Sequence, residues 1–324
     1  MNAEVGMFIR DIAHSLDRAS HPPLEALRDA YGWGPRTHRV FDRLFGLKST
    51  SLHPDLTLTE GLRLSAERLA RRNPTLQGRV DAIVYAHALN TSLPFASDAL
   101  HQIGREVFGS EAEVLSVTHG SCASAILALH VLRQGSHDLG NIVLLTGEKC
   151  FFELLDYADN NGLFGETTSA SWISVEEGAA FARIDGTAAG HFPGVSAPLA
   201  RADRETAAEY DRAFLPTLQS AVEAALGAAG LAADKIGVIL PTHLSPFTFN
   251  RMADRLGLPE GLVFKVNLPQ IGHCFCGDLF INLETWARGA IDHSPVHVMS
   301  FASGMTGAFA AIILTRNPNG ACPP

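Results

Sequence analysis

Four short apolar runs of this chain occur twice in the same order, the first three about 150–156 residues apart, a self-similarity that implies a duplicated architecture. Asp81-Ala-Ile-Val-Tyr-Ala-His87 resembles Gly237-Val-Ile-Leu-Pro-Thr-His243, each a strand-like run ending in histidine. Glu113-Val-Leu-Ser-Val117 with the segment around Cys122 matches Leu262-Val-Phe-Lys-Val266 with Gly272-His273. Asn141-Ile-Val-Leu-Leu145 matches Val296-His-Val-Met-Ser300, and Gly178-Ala-Ala-Phe-Ala182 matches Gly307-Ala-Phe-Ala-Ala311.

Longer amphipathic stretches separate these runs, so the predicted fold class is α/β. Strands are predicted over 81–86, 113–117, 141–145, 179–184, 236–240, 262–266, 296–301 and 308–314. Helices are predicted over 57–72, 96–107, 123–134, 205–227, 246–256 and 278–290. The expected organisation is two related βα halves, 1–184 and 185–324, joined by the Gly-, Ala- and Pro-containing stretch from Asp185 to Arg201 and sharing one core.

At 46% hydrophobic and 18% charged residues, the chain has the composition of a globular protein. Its 25 Lys and Arg against 34 Asp and Glu leave a net charge of −9, without the basic stripe that phosphate binding needs, so nucleic acid is excluded as a partner. The densest apolar run, Ala123 to Leu132, is interrupted by Ser124 and His130 and falls short of the ~20 residues of a membrane span. Five scattered cysteines do not make a disulfide scaffold and fit a reducing compartment. Met1-Asn2-Ala3-Glu4-Val5 has no basic region leading into an apolar stretch, so the expected location is the cytoplasm.

The segment Ser116-Val117-Thr118-His119-Gly120-Ser121-Cys122-Ala123 carries the strongest chemical signal. A β-rich run ends at Gly120, and an apolar helical run follows Cys122 up to Gly135, a natural C-cap. Cys122 therefore falls in a sharp turn at a helix N-terminus, where unpaired amides favour a thiolate and can hold an oxyanion. Gly120, Ser121 and Ala123 are small enough for the backbone to bend there, as in a nucleophile elbow. The alternative is a buried packing thiol. His273-Cys274-Phe275-Cys276 lacks the second ligand pair of a zinc site, and Cys150 and Cys322 have no partner pattern, so no metal is expected.

Cys122 after a small-residue turn, Pro241-Thr242-His243, Gly272-His273 and Gly304-Met305-Thr306-Gly307-Ala308 follow one another in an order that resembles the thiolase superfamily, specifically its β-ketoacyl-ACP synthase III branch. Phe45-Gly46-Leu47 resembles that branch's early glycine signature. The resemblance implies a layered α-β-α-β-α sandwich, a homodimer and no cofactor. It also implies a Cys122 nucleophile acylated by acyl carrier protein or acyl-CoA, backbone oxyanion donors at Cys122 and Gly304, and catalytic roles for His243 and His273. His273 stands where the branch usually has Asn, giving the Cys-His-His set of the synthase I/II branch. The implied reaction is condensation of the acyl group with a malonyl-type thioester in specialised lipid, polyketide or secondary metabolism, with both imidazoles binding the second thioester.

Two other readings stay open: transfer to an alcohol or amine acceptor with His243 as base, and a catalytically silent partner subunit of a heteromeric synthase. The branch's Gly-Asp-Gly-Ala-like strand entry is assigned to Val175-Glu176-Glu177-Gly178-Ala179. Its coenzyme A-gripping tryptophan and arginine have no counterpart near Val40 to Leu47, and the connection after Ile184 is shorter than in the family. Arg251 and Arg255, four apart on the helix after His243, are the expected docking face for an acidic carrier.

Overall fold

The apolar runs Ala82–Ala86 and Asn141–Thr146 form strands buried at every position, whereas Glu113–Val117 forms a strand left largely exposed. The computed structural model describes residues 6–89, 97–135, 138–149, 162–176, 180–192, 203–243, 246–289 and 296–317. Its strands are β1 (Met7–His14), β2 (Ala82–Ala86), β3 (Glu113–Val117), β4 (Asn141–Thr146), β5 (Ser169–Ser174), β6 (Ala182–His191), β7 (Ile236–Leu240), β8 (Val296–Ser303) and β9 (Ala308–Arg316). They form one sheet in the order β3-β2-β4-β5-β1-β6-β9-β8-β7. The helices that cover it are α1 (Leu58–Arg72), α2 (Ser97–Phe108), α3 (Ser124–Gly135), α4 (Arg204–Ala229), α5 (Pro246–Arg255) and α6 (Asp278–Gly289).

The side-chain period of two sorts the core into layers. Val84 of β2, Leu144 of β4, Leu240 of β7 and Ile312 of β9 pack with Leu129 of α3 and Phe280 of α6, so these two helices lie between the half-sheets. The opposite faces, Ile83 and Val143 in the first half, meet Leu62 and Leu69 of α1 and Ile103 of α2. In the second half Ile239 and Met299 meet Val222 of α4 and Met252 of α5. This is the five-layer α-β-α-β-α sandwich. Each fully buried Leu, Ile or Phe contributes about 1.5–3 kcal/mol. Truncating one central contact, as in Leu129→Ala, costs about 2–5 kcal/mol.

The sheet order is nearly palindromic about the β1–β6 contact, which makes β6 the first strand of the second half and β5 the last of the first. The predicted boundary between Ile184 and Asp185 therefore falls inside β6. Likewise, the match of 178–182 with 307–311 joins antiparallel neighbours rather than counterparts, since Ala182 pairs with Arg316 and Ala188 with Ala311. A helix does approach β6 closely further along, where a Cβ on Gly186 would lie 2.2 Å from Ala225 O. The predicted strand 262–266 reduces to one parallel bridge between Ile239 and Val263, because Pro259 starts a 3-10 turn over Glu260–Leu262.

Strands β1 and β5 were not predicted. Gly178, Ala179, Cys150, Cys322, most of the linker, and the helix ends at Ala96 and Ala290 lie outside the described residues. Among the described residues, no helix is long and apolar enough to cross a membrane.

Candidate active site

Cys122 sits where β3 gives way to α3. Ser121 N–H donates to Thr118 O (2.9 Å) and Ala123 N–H to Gly120 O (3.0 Å), closing a 3-10 turn over Ser121–Ala123. Ser121 pays for this turn with a left-handed φ of 51°. The turn places Cys122, 7% exposed, at the first turn of a buried helix. The β8–β9 connection presses against it, and a Cβ on Gly304 would lie 2.1 Å from Gly120 O. Gly304, expected as an oxyanion donor, gives its own N–H to Ala308 O (2.8 Å), so its part here is steric.

His273 reaches Cys122 from the second half. Gly272 has φ 66°, and a Cβ there would lie 2.4 Å from Leu163 O, so only glycine lets the chain pass. His273 N–H then donates to Leu163 O (2.7 Å), and its carbonyl accepts from Gly165 N–H (2.9 Å). Held this way, the imidazole has Nε2 3.2 Å from Cys122 Sγ and donates Nδ1–H to Asp278 Oδ2 at 2.5 Å.

Asp278, fully buried at the start of α6, also accepts the backbone N–H groups of His243 (2.6 Å) and Cys274 (2.7 Å). Burial would raise its pKa, but the two imidazoles and these donors hold it below the ordinary carboxylate value. For His273 burial opposes the charge, and Asp278 followed by Cys122 overcomes it, raising the imidazole to about 10. A thiol, a base and a carboxylate that orients the base are thus in line.

His243 lies in the same buried network but is engaged differently. Its Nδ1–H donates to Gly272 O (2.7 Å), leaving Nε2 to accept from Asn282 Nδ2 (2.8 Å). Asn282 Nδ2 also donates to Pro241 O (2.8 Å), and Asn282 Oδ1 accepts from Asn267 Nδ2 (2.9 Å). Both ring nitrogens of His243 are therefore occupied by the protein, and its contacts brace the Gly272 turn.

Cys122 and His273 meet, yet they are not equivalent points of the repeat. The counterpart of Ser121-Cys122-Ala123 is Phe275-Cys276-Gly277, a second 3-10 turn leading into the second central helix. Cys276 Sγ donates to Ser121 O (3.3 Å), and burial pushes its thiol well above the ordinary value. Burial likewise pushes Cys274 up to about 12.

Both residues of the expected docking pair, Arg251 and Arg255, are exposed, and Arg255 Nε donates to Gln219 Oε1 (2.6 Å). β5 is entered from Phe164-Gly165-Glu166-Thr167, and Glu177, Gly178 and Ala179 of the expected strand entry lie outside the described residues. Sequence reasoning missed Asp278, Asn282 and Phe164. An acidic residue five positions after His273 was the available signal for Asp278, but it reads equally as a helix-start residue.

The sequence matches no family model and no curated protein. Solved structures do match. ChlB3, described as an acyltransferase, has a TM-score of 0.80 at 16% identity, over 97% of this chain and 99% of its own. The 3-oxoacyl-[acyl-carrier-protein] synthase III of Aquifex aeolicus VF5 has 0.75 at 17% identity, over 96% and 100%. AbyA1, a tetronic acid condensing enzyme, has 0.72 at 18% identity, over 95% and 99%. The chain therefore has, along nearly its whole length, the fold of the 3-oxoacyl-[acyl-carrier-protein] synthase III structures.

Proposed function

We propose that this protein is an acyltransferase that carries an acyl group on Cys122 and passes it, without decarboxylation, to an alcohol or amine. The observation that carries this reading is the buried line from Asp278 through His273 to Cys122, with contacts of 2.5 and 3.2 Å. His273 Nε2, whose raised pKa favours the imidazolium, keeps the proton while Sγ attacks the thioester carbonyl of an acyl-CoA or acyl carrier protein. Collapse of the tetrahedral adduct expels the donor's thiolate, which receives that proton. In the second half-reaction His273 takes the acceptor's proton as its oxygen or nitrogen attacks the acyl-Cys122 carbonyl. Sγ then leaves, and the proton stays on His273. The Cys122 amide at the start of the helix is the oxyanion donor.

Condensation needs free side-chain donors for the enolate, and His243, with Gly272 O on Nδ1 and Asn282 on Nε2, has neither nitrogen free. This favours transfer to oxygen or nitrogen over carbon. A second copy would dock along β3, an edge strand whose Leu115 is 43% exposed, and Arg251 would meet an acidic carrier.

Intact mass measurement after incubation with acetyl-CoA or an acetylated carrier protein tests the reading. The expected result is one acetyl group on Cys122, discharged by alcohols or amines and not by malonyl thioester. Carbon dioxide release from malonyl thioester would establish condensation instead, and the absence of any adduct would leave the partner-subunit reading.

A further inference from the structure

A cavity of about 260 Å³ lies beside the site, walled on its apolar side by Tyr31, Leu52, Pro54, Leu163 and Phe164. Phe164 is the wall nearest the chemistry. Its ring stacks on Phe275 (centroids 4.9 Å apart), stands 5.9 Å from the His273 ring, and packs in one cluster with Cys122. The backbone that carries it is fixed, since Phe164 O accepts from Thr50 Oγ1 (2.6 Å) and the next residue, Gly165, donates to His273 O. A single aromatic side chain thus touches the thiol cluster on one side and the apolar wall of the cavity on the other; the cavity is also lined by Thr50 and by the Lys149–Glu166 ion pair (2.9 Å). The cavity is near the small end of ligand pockets, a size that suits a short hydrocarbon.

We propose that Phe164 is a specificity-determining residue: it limits the acyl group on Cys122 to a few carbons by closing the route into this cavity. The inference rests on the acyl-cysteine reading above. Removing the ring joins the cavity to the thiol and gives a longer alkyl chain an apolar home between Leu52 and Leu163.

Acetyl and hexanoyl N-acetylcysteamine thioesters serve as probes, with the adduct on Cys122 quantified by intact mass and peptide mapping. The wild type is expected to take acetyl and to take hexanoyl poorly. Phe164→Ala should raise the ratio of hexanoyl to acetyl rates at least tenfold. Leu52→Trp added to Phe164→Ala refills the cavity and should abolish the gain, which general loosening of the site would not do. Where Phe164→Ala fails to fold, Phe164→Leu should show the same shift at smaller size. An unchanged ratio of hexanoyl to acetyl in the folded variants, or a gain that survives Leu52→Trp, overturns the proposal while leaving acyl-Cys122 intact. A wild type that takes neither group overturns the acyl-cysteine reading and this inference with it.

Discussion

Ser121 and Phe275 share one unusual backbone state, left-handed with φ 51° and 52°, and each stands immediately before a cysteine at the start of a central helix. The duplication thus built two nucleophile-type turns, and only one faces a base. Cys122 has His273 Nε2 at 3.2 Å, whereas Cys276 has the carbonyl of Ser121 at 3.3 Å. Covalent labelling by acyl donors is expected at Cys122 alone. Cys122→Ala should abolish the adduct and shift stability by no more than about 1 kcal/mol. Adduct on Cys276 in that variant would count against the assignment.

Asp278→Asn keeps the volume of the side chain but removes the charge that orients His273. Turnover is expected to fall about 10⁴-fold, as when a triad histidine loses its carboxylate. NMR titration of the imidazole should show its pKa moving down from about 10, because Asp278 is the largest influence raising it. A His273 titration that stays in place would show that the carboxylate is only structural.

The same pair makes stability depend on pH. An unfolded histidine titrates at about 6.5. In the folded protein His273 is raised to about 10, so the native state holds the proton more tightly. Its contribution is complete below about 6.5 and is lost as pH rises through about 10. Asp278 is depressed, so its contribution is present above the ordinary carboxylate range and is lost on acidification through its lowered pKa. Urea midpoints should therefore decline from neutral pH towards pH 10, and the decline should be smaller in Asp278→Asn.

His243→Gln separates the two chemistries. With both ring nitrogens bound inside the protein, His243 braces Gly272 and Asn282. Acylation of Cys122 is expected to stay within about tenfold of wild type, while thermal stability drops by about 1–3 kcal/mol from unmet buried groups. A thousandfold loss of acylation with an unchanged melting temperature would instead make His243 a direct participant.

Gly304→Ala should drive a Cβ against Gly120 O, which lies 2.1 Å from the ideal position. Overpacking of this kind costs about 1–3 kcal/mol, and here the displaced atoms belong to the turn that carries Cys122. Slower acyl-enzyme formation together with a lower melting temperature is the expected pairing; loss of rate alone would restore an oxyanion role to its amide.

The strands flanking Cys122 and His243 were legible because Ile83, Val143, Ile239 and Met299 are apolar on faces that are covered twice. β5 was invisible for the opposite reason: Ser169, Ser171 and Ser174 are fully or almost fully buried, and hydroxyls carry no hydropathy signal. β1 was hidden by Arg10 and Asp11, which break its alternation, although Asp11 is buried against Arg72. The nucleophile and His273 could be found from turn chemistry and spacing. The orientation of His243 could not, because it depends on Asn282 and Asn267, polar residues buried by tertiary packing alone.

The pairing of β1 with β5 and β6 has a consequence for how the molecule is made. Met7–His14 is synthesised early but lies at the centre of the sheet, between Ser169–Ser174 and Ala182–Ile184. At about 5–20 residues per second, its partners emerge on the order of ten to thirty seconds later. During that interval the strand that joins both half-sheets has no edge to pair with. The first half-sheet therefore cannot close until β5 has emerged.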